Sequence, residues 1–165
     1  REGRIWSSLS HPHVTPFYGW ALEVSDYDVR ACFVSQFCSR RDLPQYLRTE
    51  PGASKSRLIH EIATGLMYLH EKGVVHGDIK PTNVLVTYEG SAMLCDFGLS
   101  MALEDTSTHP QGSSRNTTPE FSAPELILFD SRDPPPRSKS TDVWAFGCTA
   151  MQVSYNPLPC YSTQD

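Results

Sequence analysis

The run His76-Gly77-Asp78-Ile79-Lys80-Pro81-Thr82-Asn83-Val84-Leu85 places an acid, a cation and an amide in one short loop. A second run, Leu94-Cys95-Asp96-Phe97-Gly98, follows shortly after it. Between the two runs, short β-prone stretches flank the turn-like Glu89-Gly90-Ser91. β-prone stretches on either side of a Gly-containing turn predict a hairpin. Such a hairpin would bring the polar loop of the first run close to the acid of the second.

The polar residues of these runs have the chemistry that phosphoryl transfer needs. That reaction requires an acceptor hydroxyl held in line, Mg²⁺ on the phosphates and positive charge near the developing negative charge. Asp78 can orient the hydroxyl and take its proton, and Lys80 can reach the transferred phosphoryl group. Asn83 and Asp96 carry oxygen ligands of the type that Mg²⁺ prefers. Gly98 would let the chain turn sharply after the metal ligand.

The combination of these residues carries more information than any one of them. A lone Asp-Phe-Gly or His-Gly-Asp occurs by chance, often as a simple turn. Here Asp78, Lys80 and Asn83 stand in the order of a known signature, and Asp96-Phe97-Gly98 follows at hairpin distance. The chain therefore resembles the eukaryotic-type protein kinases, of the Ser/Thr or tyrosine-kinase-like group. That family usually has Arg where this chain has Gly77.

The resemblance implies an α+β, protein-kinase-like fold that is partial and truncated at both ends. Residues 1–37 would be the C-terminal part of the N-lobe, with its last helix and strands, and 38–42 the hinge. Residues 43–165 would be an incomplete, mainly helical C-lobe, up to its central buried helix. They would include the catalytic loop, 76–85, and the activation segment, 96–125. Since the Gly-rich phosphate loop and the third-strand Lys would lie upstream, we expect the chain alone to be inactive or weakly folded.

Composition excludes several other classes of protein. The chain has 165 residues, enough for one domain with a core. Its net charge of −5 argues against a nucleic-acid binder. Five cysteines without a C-x-x-C pair argue against a disulfide framework or a zinc site, and favour a cytoplasmic location, or a nuclear one. No apolar run is long enough for a membrane span. The sequence leaves the oligomeric state open.

The N-terminal residues predict the end of a helix over Glu2 to Leu9, because apolar residues there fall at helical spacing. By resemblance this is the last helix of the N-lobe, and Glu2 would bind the ATP-contacting Lys. The alternative is that Glu2 is a solvated residue near a chain end. Strands are predicted at Val14 to Leu22 and Ala31 to Phe37, joined by the polar link Glu23 to Asp28.

The resemblance also assigns the nucleotide contacts. Backbone groups of Gln36 and Cys38 would meet the adenine ring of ATP, and Leu85 would contribute to the same pocket. Asp42 is placed to meet the ribose. The alternative is that Asp42 caps a helix predicted over Leu43 to Arg48, since Asp is favoured at that position, and the two roles are compatible.

The clearest helix is predicted over Ser54 to Lys72, where apolar residues recur at helical spacing. By resemblance it leads to the catalytic loop, and His60 and His70 are ordinary residues of it. His76 could be a general base, but the resemblance favours a packing role under Phe97. By the same comparison, His76 and Phe97 would stack in an apolar column with Trp6 and Phe17.

The polar segment Leu99 to Thr117 is the central part of the predicted activation segment. It leads into Thr118-Pro119-Glu120-Phe121-Ser122-Ala123-Pro124-Glu125, which is similar to the substrate-docking stretch of Ser/Thr kinases. By resemblance Thr118 would hydrogen-bond Asp78 and Lys80, which indicates Ser/Thr rather than Tyr substrates. Otherwise, a Thr before Pro is simply a turn residue. A last helix is predicted to open at Asp142, whose side chain would cap the backbone of the catalytic loop.

The resemblance implies an ATP- and Mg²⁺-dependent kinase that transfers the γ-phosphate to Ser/Thr hydroxyls of protein substrates. A pseudokinase that only scaffolds partners is the alternative. Loss of Asp78, Asn83 or Asp96 would favour that alternative, and none is lost. A small-molecule phosphotransferase of the same fold fits less well, because such enzymes usually lack the docking stretch.

Overall fold

The computed structural model describes residues 6–25, 29–96, 101–102, 118–128 and 135–155. The predictions for Glu2, Phe97, Gly98 and residues 103–117 lie outside these residues.

The first two strands form an antiparallel hairpin. They are β1, Phe17–Val24, and β2, Val29–Ser35. The register is irregular between Phe17 and Gly19 and regular beyond that point. The predicted hairpin is confirmed.

The predicted ends of these strands, however, were wrong. The sequence suggested 14–22 and 31–37, with a polar link at 23–28. In the structure Glu23 pairs with Arg30, so the ladder continues into that link. Strand pairing uses backbone groups, and side-chain polarity therefore does not fix where pairing stops.

Trp6 connects the start of the described chain to this hairpin. Its indole Nε1 donates to the backbone oxygen of Thr15 at 2.5 Å. Its ring centroid lies 5.1 Å from that of Phe17, within the range of favourable aromatic pairs. The first contact of the expected apolar column is therefore present. Its continuation through Phe97 lies outside the described residues, and His76 is fully buried.

The first helix, α1, spans Leu43–Thr49. Its cap is Asp42, whose Oδ1 accepts the backbone N–H of Gln45 at 2.9 Å. Leu43 and Tyr46 are buried on its inner side. The predicted helix is confirmed, and so is the capping role of Asp42.

The second helix, α2, spans Lys55–Glu71. Ser54 caps its start by accepting the backbone N–H of Arg57 at 3.4 Å. The helix predicted over Ser54 to Lys72 is confirmed, and its two predicted end residues are the caps. Full burial of an aliphatic side chain contributes about 1.5–3 kcal/mol. The apolar stripe that the spacing predicted is buried throughout and consists of Leu58, Ile62, Leu66 and Leu69.

Short strands frame the loop that follows α2. Strand β3, Val74–Val75, pairs with β6, Met101–Ala102. Strand β4, Val84–Val86, pairs antiparallel with β5, Ala92–Leu94. The hairpin expected between the two signature runs is thereby confirmed.

Gly65 allows α2 to approach the turn that precedes β1. A Cβ at this position would lie 2.5 Å from the backbone oxygen of His13, which leaves no room for a side chain. The same oxygen accepts the backbone N–H of Leu94 at 2.9 Å. The turn is therefore held between α2 and β5.

The last described helix, α3, spans Lys139–Tyr155 and buries Ala145 and Val153. It begins before Asp142, where the sequence had suggested its start. The reason is a cap formed by Ser138 and Thr141, in which the Ser138 N–H donates to Thr141 Oγ1 at 3.0 Å. Within the described part of the chain, helices are too short or too polar to cross a membrane.

Candidate active site

The catalytic loop lies between two strands that fix its ends. Strand β3 leads into it, and a 3₁₀ turn, Pro81–Asn83, leads out of it to β4. The backbone N–H of Cys95 donates to the backbone oxygen of Asn83 at 3.0 Å. Because Asp96 follows Cys95 directly, this bond brings Asp96 to the loop.

Asp78, Lys80 and Asn83 form one hydrogen-bonded group. Asp78 Oδ2 lies 2.7 Å from Lys80 Nζ and accepts the Asn83 amide nitrogen at 2.8 Å. That amide also donates to the backbone oxygen of Asp78 at 2.8 Å. The side chain of Asp78 is 12% exposed, so its ion pair with Lys80 is largely shielded from solvent. Two donors thus orient the carboxylate, and its other oxygen accepts no hydrogen bond from the described residues.

Thr118 joins this group through Lys80. Lys80 Nζ donates to Thr118 Oγ1 at 3.0 Å, which ties the docking stretch to the catalytic loop. The expected bond from Thr118 to Asp78 is absent among the described residues, because Lys80 stands between them. Thr118 therefore reaches Asp78 only through the shared ammonium group.

The docking stretch closes over the catalytic loop with little free space. A cavity of about 20 Å³ remains between Gly77, Ser122 and Ala145. A polar cavity of this size holds roughly one water molecule. The 118–125 stretch is therefore packed against the loop and against α3.

Asp142 supports the catalytic loop from below, as the resemblance implied. It is 1% exposed. Its Oδ2 accepts the backbone N–H of His76 at 2.8 Å, and its Oδ1 accepts that of Gly77 at 2.8 Å. His70 Nε2 lies 2.9 Å from the same Oδ2. These contacts stabilise the buried carboxylate and fix the backbone turn immediately before Asp78.

His76 is placed to shape the loop rather than to take protons from substrate. Its Nδ1 accepts the backbone N–H of Asp78 at 3.2 Å, and its Nε2 lies 2.9 Å from the backbone oxygen of Cys95. This pattern fits the neutral tautomer with the proton on Nε2. Burial lowers the pKa of His76, and the charge of Asp142 opposes that shift. Both ring nitrogens of His76 therefore contact backbone groups.

Asp96 and Asn83 provide the oxygen atoms that a hard cation would need. Asp96 is exposed and has a φ of +62°, a conformation uncommon for residues other than Gly. Because the side-chain nitrogen of Asn83 donates a hydrogen bond to Asp78, the side-chain oxygen of Asn83 is the atom that could bind a metal ion. A carboxylate and an amide oxygen fit Mg²⁺, which takes few protein ligands and keeps phosphate and water oxygens as the others.

The residues assigned to the nucleotide lie beside this group. Asp42 and Leu85 pair as an isolated bridge, which places the end of the predicted hinge along β4. The Asp42 carboxylate is occupied as the cap of α1, so its ribose contact remains a prediction. Gln36 is half-buried and Cys38 is buried, and their adenine contacts also remain predictions.

The two cysteines of this region are poor nucleophiles. Burial raises the pKa of the Cys38 thiol. Burial raises the pKa of Cys95 to about 12, and the charges of Asp96, Cys38 and Asp42 act in the same direction.

Comparison with known proteins agrees with this geometry. A family model described as the protein kinase domain matches residues 1–165. The chain belongs to the protein kinase family. The resemblance stated from the sequence and the α+β kinase-like fold are thereby confirmed.

Several curated protein kinases are similar to this chain. Serine/threonine-protein kinase RUNKEL of Arabidopsis thaliana is 38% identical over 92% of the chain and 11% of that protein. MAP kinase kinase skh1/pek1 of Schizosaccharomyces pombe is 30% identical over 96% of the chain and 43% of that protein. Mitogen-activated protein kinase kinase kinase 3 of Arabidopsis thaliana is 30% identical over 96% of the chain and 23% of that protein. The chain spans less than half the length of each of these relatives.

Two residues of the kinase site were missed in the sequence. His70, interpreted as an ordinary helix residue, contacts Asp142. Its position one turn after Leu66, on the buried stripe of α2, was a signal that it faces inward. Burial lowers the pKa of Arg137, and the charges of Asp78 and then Asp142 oppose that shift. No local pattern indicated that, since these carboxylates belong to other parts of the chain.

Proposed function

We propose that the protein carrying this chain is an ATP- and Mg²⁺-dependent kinase that phosphorylates Ser and Thr hydroxyls of other proteins. The observation that carries the proposal is the arrangement of Asp78, with Lys80 at 2.7 Å and Asn83 at 2.8 Å. An acid, a cation and a candidate metal ligand thus meet at one point, as phosphoryl transfer requires.

Asp78 is the group that would orient the acceptor hydroxyl and take its proton. Its Oδ2 is used by Lys80 and Asn83, and its Oδ1 is available to a substrate. A carboxylate held by two donors keeps its position as the hydroxyl approaches, which favours an in-line geometry. Lys80 would then stabilise the negative charge of the transferred phosphoryl group.

Asn83 and Asp96 are the residues that would hold the metal ion. When bound, Mg²⁺ would neutralise negative charge on the phosphates of ATP. The bond from Cys95 N–H to the Asn83 backbone oxygen would keep the two ligands side by side. Gln36, Cys38, Asp42 and Leu85 would bind the nucleoside part.

The proposed preference for Ser and Thr rests on Thr118. Its hydroxyl accepts a hydrogen bond from Lys80 at 3.0 Å, and this contact supports a docking stretch that would present a short side-chain hydroxyl to Asp78. One relative at 38% identity is named a serine/threonine-protein kinase, and two others are named a MAP kinase kinase and a mitogen-activated protein kinase kinase kinase. The free thiols support a cytoplasmic or nuclear location, and the acidic net charge argues against nucleic acid as the partner.

The test is phosphate transfer by the full-length protein. Radiolabelled ATP with Mg²⁺ would be supplied together with peptide mixtures that differ only in a Ser, Thr or Tyr acceptor. We expect label on Ser and Thr peptides, and none in the Asp96→Asn variant, because the metal would be lost. Glu71→Gln is the control, since Glu71 is exposed at the end of α2 and should leave transfer unchanged.

Three other outcomes of this experiment would contradict parts of the proposed function. Full transfer by Asp96→Asn at saturating Mg²⁺ and ATP would contradict the assigned metal site. Nucleotide binding without transfer in the wild-type protein would favour the pseudokinase. Label on Tyr peptides alone would contradict the role given to Thr118.

A further inference from the structure

Leu94, the last residue of β5, is bonded to the turn formed by residues 11–15. Its backbone N–H donates to the backbone oxygen of His13 at 2.9 Å. Its backbone oxygen accepts the N–H of Thr15 at 2.9 Å and the hydroxyl of Thr15 at 2.7 Å. Strand β5 therefore lies between β4 and the 11–15 turn. Because Asp96 follows Leu94 by two residues, the position of this candidate metal ligand depends on the turn as well as on β4.

His11 closes the 11–15 turn with its ring. Its Nδ1 accepts the backbone N–H of His13 at 3.1 Å, and its backbone oxygen accepts that of Val14 at 3.1 Å. An imidazole nitrogen accepts a hydrogen bond only while it carries no proton, so this geometry fits the neutral ring with its proton on Nε2. The bond from Nδ1 orients His13, which is the residue whose oxygen holds Leu94. The ring of His13 also lies against β5, with its Nδ1 2.9 Å from the backbone oxygen of Ala92.

The ring of His11 is held in place by α2. Its centroid lies 4.8 Å from that of Tyr68, and the two rings are stacked with 17° between their planes. Such aromatic contacts are favourable at this distance. The hydroxyl of Tyr68 also accepts the backbone N–H of Ser10 at 2.9 Å. The stack therefore keeps the ring of His11 in the orientation in which its Nδ1 meets the turn.

We infer that His11 is a positioning residue for Asp96. Its bond to the backbone of His13 holds the 11–15 turn, and the turn holds Leu94. This inference rests on the proposed kinase function, in which Asp96 binds Mg²⁺. Mg²⁺ demands a nearly ideal octahedral geometry, so a small displacement of one ligand weakens its binding. Loss of the His11 bond should therefore appear in the concentration of Mg²⁺ that the enzyme needs.

The test compares two replacements of His11 in the full-length protein. His11→Asn keeps an acceptor, because the side-chain oxygen of Asn is as many bonds from the backbone as Nδ1 of His, and it removes the ring. His11→Phe keeps a ring for the stack on Tyr68 and removes the acceptor. Transfer to a Ser peptide is measured against free Mg²⁺ concentration at constant, saturating ATP, and folding is followed by thermal unfolding. His60→Phe, at an exposed site on α2, is the control.

We expect His11→Phe to raise the Mg²⁺ concentration for the half-maximal rate about three- to tenfold, the effect of one lost hydrogen bond. Its kcat at saturating Mg²⁺ should change little, because the bonds of Asp78 are not altered. His11→Asn and His60→Phe should keep the Mg²⁺ dependence of the wild-type protein. A residue that served only packing would give the opposite order, since Phe preserves the stack on Tyr68 and Asn loses it.

Acid should act on the wild-type protein as His11→Phe does. Burial lowers the pKa of His11, the charge of His13 acts in the same direction, and the charge of Glu71 opposes the shift. Two further charged groups lie near this ring, Lys72 at the end of α2 and Glu89 in the β4–β5 turn. The bond from Nδ1 is therefore intact at neutral pH and is lost as pH falls through the folded pKa, below the usual value of about 6.5. In that range the Mg²⁺ requirement should rise more in the wild-type protein than in His11→Asn, which shares the titration of ATP and of the other groups.

Each alternative outcome overturns a defined statement. An active wild-type protein whose Mg²⁺ requirement is unchanged in His11→Phe would overturn the inference alone, as would an equal or larger rise in His11→Asn. Equal rises of the wild-type protein and His11→Asn in acid would also overturn it, and this comparison decides where His11→Phe does not fold. If neither variant folds, His11 serves folding and the inference is wrong. A wild-type protein without transfer overturns the proposed function and the inference with it.

Discussion

The backbone N–H of Gly77 donates to the carboxylate of Asp142 at 2.8 Å. Gly77 has a φ of +83°, where residues with a Cβ are strained by about 1–2 kcal/mol. A residue with a Cβ at position 77 would have to be held in this strained conformation by the bond to the buried acid. Here Gly adopts the turn without strain, so the Asp142 carboxylate can serve mainly to fix the direction of the loop.

Asp142→Asn tests how much stability that support provides. The amide has one acceptor where the carboxylate has two, so its NH₂ group would face a backbone N–H of the loop. An unsatisfied buried group of this kind costs about 1–3 kcal/mol. We expect a loss of this size in urea unfolding of the kinase domain.

The matched control for Asp142→Asn is Glu50→Gln. The ion pair of Glu50 with Arg40 is 2.6 Å long, but both side chains are well exposed. Exposed pairs contribute about 0–1 kcal/mol. Equal effects of the two substitutions would contradict the supporting role of Asp142.

The parts of the fold that depend on local pattern could be predicted from the sequence. The buried stripe of α2 follows from its helical period, and the β4–β5 hairpin follows from two β-prone stretches around Gly90. Asp78, Lys80 and Asn83 were grouped because their spacing matches one reaction. Each of these features is set by residues that are neighbours along the chain.

The features that depend on distant contacts could not be predicted in this way. The ladder of β1 continues through Glu23 to Val24 because its backbone has a partner in β2. His70 contacts Asp142, and these two residues are widely separated in the chain. Charge compensation between such residues leaves no periodic signal in the sequence.

Asp78→Asn should separate chemistry from nucleotide binding. Asn keeps the size of the side chain but cannot accept a proton from the substrate hydroxyl. We expect kcat to fall by about 10²–10⁴-fold, while ATP affinity measured by calorimetry stays nearly unchanged. A parallel loss of ATP affinity would mean that Asp78 serves the structure of the loop instead.

Cys38 and Cys95 should react slowly with iodoacetamide at neutral pH. The thiolate is the nucleophile, and the pKa of each thiol is raised, to about 12 for Cys95. We expect mass spectrometry to show both labelled more slowly than Cys32, and faster as pH rises. Any protection by Mg²⁺-ATP should then be measured above pH 8. Rapid neutral labelling of Cys95 would contradict the raised pKa of its half-buried thiol.

The buried His76 should make the stability of the domain depend on pH below neutrality. Because burial lowers its pKa in the folded state, the unfolded chain binds a proton first, near its usual pKa of about 6.5. The contribution to stability is complete above that pH and is lost as pH falls towards the folded pKa, by at most about 1.4 kcal/mol per pH unit. His76→Asn should flatten this slope in urea unfolding, whereas His60→Asn, at an exposed site on α2, should not. An unchanged slope in His76→Asn would contradict this assignment.

Turnover should not require a phosphate on the activation segment. In most kinases the Arg beside the catalytic Asp captures such a phosphate, which adds nearly two negative charges and orders the segment. Gly77 has no side chain and cannot do so. Arg115, outside the described residues, is the alternative receptor within this chain.

We expect a full-length protein with the candidate acceptors changed to Ala to keep most of its activity, while Thr118→Ala loses it. These acceptors are Thr106, Ser107, Thr108, Ser113, Ser114 and Thr117. A tenfold loss of turnover after phosphatase treatment of the wild-type protein, about 1.4 kcal/mol, would show that a phosphate is needed after all.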